Sequence, residues 1–124
     1  PSMTNYPWSD FTPVRADARV EYEGALRDFE RRRYVDAAER LEWILGQPVD
    51  HRHGLGDVRE LLARAYYHSA RLDLAESTAR AVMSDQPTNG YAAMLLARTL
   101  QRQGRAEEAK APAALAAALG VTAD

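Results

Sequence analysis

The three histidines are the first place to look for chemistry in this chain. His51 and His53 flank Arg52, with Asp50 and Asp57 nearby, and two imidazoles beside a carboxylate could begin a metal site. No third ligand is fixed by spacing, so the run reads as a polar loop between repeats, and no metal is expected. His68 has no nucleophile set beside it. Ser69, Ser77 and Thr78 stand in no nucleophile-elbow pattern. Gly54-Leu55-Gly56 lacks the further glycine and the preceding strand of a dinucleotide fingerprint. Glu107-Glu108 falls at a helix start, where the helix dipole accounts for carboxylates. Neither catalysis nor a cofactor is expected.

The remaining chemistry is recognition. Almost all the basic residues are arginines, Lys110 being the one lysine. A guanidinium presents a planar fork of donors that matches a carboxylate. The run Glu30-Arg31-Arg32-Arg33-Tyr34 reads as cationic charge at the C-terminal end of a helix, which the dipole favours. With a formal net charge of −2 over 124 residues, neither nucleic acid nor a membrane surface is an expected partner. No apolar run approaches the roughly 20 residues of a membrane span. There is no cysteine, hence no disulfide or thiolate chemistry. No basic-then-apolar leader is visible, and the expected location is the cytoplasm. Pro1-Ser2 before Met3 reads as an expression-vector remnant.

The elements that position these arginines follow a period. LLAR occurs at 61–64 and again at 95–98, an interval of 34 residues. At the same offset Arg71 falls on Arg105, Asp73 on Glu107, Ala75 on Ala109 and Tyr66 on Leu100. A fixed period of this size marks a stacked helix–turn–helix unit. Leu62, Ala63 and Tyr66 share one helical face, and Leu74, Ala75, Thr78, Ala79, Val82 and Met83 form a second stripe after the break at 71–73. Pro87 ends that helix, Thr88-Asn89 caps the next, and Gly104 suits a left-handed turn. The alanines at 63, 97, 75 and 109 recur because helices joined by a short turn must cross closely.

This pattern resembles the tetratricopeptide repeat. Leu62, Ala63, Tyr66, Ala75, Ala79 and Pro87 occupy the places of its motif in the middle unit, with Arg59 where the motif has Trp. In the last unit Leu96, Ala97, Leu100, Ala109, Ala113 and Ala116 fit, and Val121 replaces the final Pro. Pro112 inside the last helix departs from the motif and is expected to kink or restart it. In the first unit Tyr34-Val35-Asp36-Ala37, Leu41 and Ile44 fit, but the first helix, with Tyr22, Ala25, Leu26 and Phe29, reads one step out of register, and the join at 47–57 is about four residues long beyond the usual. The composition resembles small actinobacterial proteins of this family, a bacterial origin.

The resemblance implies an all-α fold, an α-solenoid of three helix–turn–helix units (about 18–51, 56–89 and 90–123, about six helices) in a single domain over 15–120. An extended arm at 1–14, with Tyr6, Trp8 and Phe11 among Pro7 and Pro13, precedes it and is expected to fold back as a cap. The resemblance also implies a protein–protein interaction module or scaffold. In the family the inward positions of each first helix bind an extended peptide. Carried over, these are Arg19, Tyr22, Leu26 and Phe29, then Glu60, Arg64, Tyr67 and His68, then Tyr91, Met94, Arg98, Gln101 and Arg102. Arg64, Arg98 and Arg102 in one shallow groove suit an acidic partner, with Tyr67, Tyr91 and Met94 adding apolar contact. The Lys/Asn clamp that some members use for a terminal carboxylate is absent, since Tyr22 and Leu26 stand at its places. The alternative is a self-assembly module. The last helix carries no charged side chain after Lys110, and a helix apolar all round is normally buried. Ala113, Leu115, Ala116 and Leu119 are the residues expected to form such a homodimer contact.

Overall fold

The computed structural model describes residues 17–48 and 55–121. Among these the regular structure is entirely helical: α1 (Ala18–Glu30), α2 (Tyr34–Leu45), α3 (Leu55–His68), α4 (Leu72–Asp85), α5 (Gly90–Arg102) and α6 (Ala106–Ala118). None is long and apolar enough to cross a membrane. The arm at 1–14 and the loop of His51 and His53 lie outside the described residues.

Local chemistry sets the helix ends. Asp17 caps α1, its carboxylate accepting from the Arg19 N–H at 2.8 Å. Asn89 caps α5, accepting from the Ala92 N–H at 3.0 Å, as its place after Pro87 suggests. Within each pair the turn is the same: a left-handed residue, Arg32 (φ 58°), Ala70 (φ 62°) or Gly104 (φ 76°), then an N–H reaching back over the helix end. Arg33 donates to the Asp28 carbonyl at 2.7 Å, Arg71 to Tyr66 at 2.9 Å and Arg105 to Leu100 at 2.8 Å. This is a Schellman closure, which satisfies carbonyls the helix leaves open. The basic run at 31–33 is therefore the first of three equivalent turns.

Helices of 12 to 14 residues are marginal alone and depend on packing. Here each packs on the next in chain order, and α3 also reaches α5. Small residues hold the crossings. Ala25, Ala63 and Ala97 on the first helices and Ala37, Ala75 and Ala109 on the second are all buried. The core runs from Leu41, Ile44, Leu61 and Leu62 to Leu95, Leu96 and Leu100, ending at Ala93, Met94 and Ala116.

Two expectations are corrected. The first helix is not out of register. The left-handed turn residues are 38 and then 34 positions apart, so the extra four residues lie in the join before α3. With them counted, Ala25 coincides with Ala63 and Ala97, and Leu26 with Arg64 and Arg98. Nor does Pro112 restart its helix: α6 runs through it, with the ring buried. The proline forfeits a bond to the carbonyl of Glu108, an exposed residue in the first turn, where water can take that place.

The motif's tyrosine position carries an inter-pair bond. Tyr66 is buried, and its hydroxyl donates to the Glu42 carboxylate of α2; burial first, then this bond, push the phenol well up. Tyr66→Phe is expected to cost about 1 kcal/mol in urea unfolding, below the roughly 1.5–3 kcal/mol of a bond to a charged group because Glu42 is exposed. No loss beyond that of an exposed-site control would mean that the bond is exchanged for water without net effect.

Candidate functional site

The common register places the first helices' residues in rows: Tyr22, Glu60 and Met94; Leu26, Arg64 and Arg98; Phe29, Tyr67 and Gln101. Arg64 ties the three helices together. Its guanidinium carbon lies 4.7 Å from the Phe29 ring centroid on α1 and 5.6 Å from that of Tyr91 on α5. Both are cation–π distances. Its Nε is buried and makes no hydrogen bond among the described residues. A buried donor left in this state is costly. Arg102 stands 4.7 Å over the Tyr67 ring and donates to the Tyr67 carbonyl at 2.9 Å.

His68 does more than rim the groove. Its ring stacks on Tyr34 at 4.8 Å, and meets Tyr67 at 5.4 Å and Phe29 at 5.8 Å edge-on. Tyr34 opens α2, so sequence reasoning on first helices alone missed it. His68 is exposed as a residue, but partial desolvation of its ring among Tyr34, Tyr67 and Phe29, and then the charges of Arg64 and Arg102, hold the imidazole below its ordinary value of 6.5. The unfolded chain therefore takes up this proton first as pH falls. Stability contributed by the neutral ring is present above about pH 6.5 and is lost as pH falls below that value. Urea unfolding of wild type is expected to weaken between about pH 7.5 and pH 5.5 by more than that of His68→Gln. Parallel pH profiles would contradict this effect of His68.

The other predicted groove residues divide. Burial pushes the Tyr22 and Tyr91 phenols up; Asp57 and Glu60 act in the same sense on Tyr22, while Arg64 opposes it at Tyr91. Both tyrosines thus stay neutral phenols. Glu60 is held by Asn89, whose amide donates to it at 2.7 Å, and so supports the start of α5. Leu26 is 40% exposed, while Arg19, Gln101 and Arg102 are also exposed. Met94 is buried against α6 and takes part in a different feature. With Ala97, Arg98, Ala113, Ala117 and Val121 it lines an apolar hollow of about 260 Å³ between α5 and α6.

Of the residues expected to self-associate, Ala113 and Leu119 are exposed and Leu115 is half-buried. Ala116 is not available: it packs inside, with Ala93 and Met94, because it stands one motif step from the buried Pro112 on the inner face of α6. Among the described residues no three His, Asp or Glu side chains converge as a metal ion requires.

The face thus carries the guanidinium groups of Arg64 and Arg102 set on aromatic rings, with an apolar hollow at one end. It can hold carboxylates and apolar side chains. Compared with protein-family models and with curated proteins, the chain matches none.

Proposed function

We propose that this chain is a tetratricopeptide-like stack of three helix pairs that binds, without chemistry of its own, an acidic extended segment of a protein partner along α1, α3 and α5. The observation that carries the reading is Arg64, half-buried and fixed between the Phe29 and Tyr91 rings of the two neighbouring first helices. A partner carboxylate is the group that matches it. Arg98 and Arg102 extend the positive row, and Tyr67 and Tyr91 supply flat apolar area beside it. The recurring turns and crossing alanines support the repeat itself.

The test titrates a fluorescein-labelled library of short peptides of Asp, Glu, Ser and Gly against wild type and Arg64→Glu/Arg98→Glu/Arg102→Glu. Each charge-assisted bond, partly exposed, contributes about 1 kcal/mol, so the triple reversal is expected to weaken binding by about 100-fold. A library with Lys for Asp and Glu should reverse the preference. Equal binding by wild type and the triple variant would discard the reading. A second reading, self-assembly through α6, draws on the exposed Ala113 and Leu119, and predicts a dimer that the arginine reversals leave intact.

A further inference from the structure

The hollow between α5 and α6 has counterparts that are filled. One unit back, at an offset of 34, Ala63 and Ala79 stand for Ala97 and Ala113, and Met83 for Ala117. There Leu95 of α5 shares an apolar cluster with Ala63 and Ala79, with Tyr67 and Met83 packed against it. One unit further back Leu61 of α3 shares a cluster with Ala25, Leu41 and Ile44. Leu61 and Leu95 are the first residues of the two LLAR copies. Each belongs to the helix that follows a pair and packs into that pair. Among the described residues no helix follows α6 to bring a third such leucine.

The place is unfilled among the described residues, and its size and charge point to an occupant. At about 260 Å³ it is below the roughly 300–1,000 Å³ of sites that enclose a drug-sized ligand, and it suits one side chain. Among the described residues its walls are Met94, Val121, alanines and Gln101, with Arg98, in the same row as Arg64, as the charged one and no acidic one.

We propose that this hollow is the anchor subsite of the groove, taking one leucine-sized aliphatic side chain of the partner segment while a neighbouring carboxylate of that segment meets Arg98. The proposal rests on the reading of the α1–α3–α5 face as a site for an acidic segment, and adds where that segment is anchored and by what. Burial of the aliphatic group supplies affinity, and the guanidinium fixes which acidic segments fit.

Two peptide libraries of Asp, Glu, Ser and Gly, one with a central Leu and one with Ser in its place, decide it by fluorescence anisotropy. They are titrated against wild type and Ala113→Phe, whose ring fills the hollow from an exposed position. The Leu library is expected to bind wild type about tenfold or more tightly than the Ser library. Ala113→Phe should erase that difference by weakening the Leu library. Equal binding of both libraries to wild type overturns the anchor while the groove reading stands. Binding of neither removes the groove reading, and the anchor with it. Ala117→Leu repeats the comparison if circular dichroism finds Ala113→Phe unfolded. A wild type that sediments as a dimer, with Ala113→Phe monomeric, places a second copy in the hollow and overturns the proposal.

Discussion

Arg40→Ala is expected to lower the unfolding free energy by about 3 kcal/mol, the low end of the loss when one partner of a buried ion pair is removed. Arg40 reaches from α2 to α1, where its Nε donates to Asp28 at 2.8 Å and one terminal nitrogen to Glu21 at 3.1 Å. Both carboxylates are 7% exposed, so each loses its charge-assisted donor in a place water hardly reaches. The Arg40 side chain keeps about a third of its surface in solvent, which is why the larger losses of fully buried pairs are not expected. Gly24 is part of the arrangement, since a Cβ there would stand 2.7 Å from the Arg40 guanidinium. Urea unfolding of wild type, Arg40→Ala and Arg40→Met measures it. Arg40→Met retains most of the packing of the stem, so a similar loss in both assigns the effect to the charge. An Arg40→Ala loss under about 1 kcal/mol, the range of surface pairs, would mean that the bridge is solvated and contributes little.

Leu100→Ala is expected to cost about 3–4 kcal/mol, within the range for deleting a fully buried leucine. Leu100 is 0% exposed and packs among Ala63, Ala79, Leu95, Leu96, Ala97 and Ala109. Its neighbours are mostly alanines on helices that already cross closely, so they cannot move in to fill the space. The cost then keeps most of its cavity component. Leu26→Ala, at a 40% exposed site, is the control and should change stability by about 0.5 kcal/mol or less. Because each helix contacts mainly its chain neighbours, the loss should appear first as faster amide exchange in α5 and α6. Equal exchange changes in α1 and α2 would indicate a single cooperative core instead.

Leu100 also explains how much of the fold was legible. At its position the three units carry Asp28, Tyr66 and Leu100, all buried. Asp28 is held by Arg40, Tyr66 by Glu42, and Leu100 by apolar contact alone. The last two units follow the hydrophobic pattern of the repeat and could be read from LLAR outward. The first unit replaces that pattern with an ion pair and a glycine, so periodicity of apolar residues made α1 look displaced. The charged residues that restore the register, Glu21, Asp28 and Arg40, carry no signal in a hydrophobic pattern, because a buried carboxylate is intelligible only beside its cation.

The candidate face divides in the same manner. The row of Arg64 and Arg98 follows from the period, as does the presence of Tyr67 and Tyr91 near it. That Arg64 is gripped by Phe29 and Tyr91, that Tyr34 stacks on His68, and that Met94 faces α6 do not, since these contacts join helices whose relative placement no spacing specifies.

Composition, the 34-residue interval and the turn residues thus determined the helices, their pairing and the small residues at their crossings, because these depend on backbone geometry and on side chains a few positions apart. Only the tertiary structure decided which polar groups are buried together, that α6 continues through Pro112, and that a hollow lies where the next leucine of the pattern would pack. Each of those depends on what a neighbouring helix does or does not bring into contact.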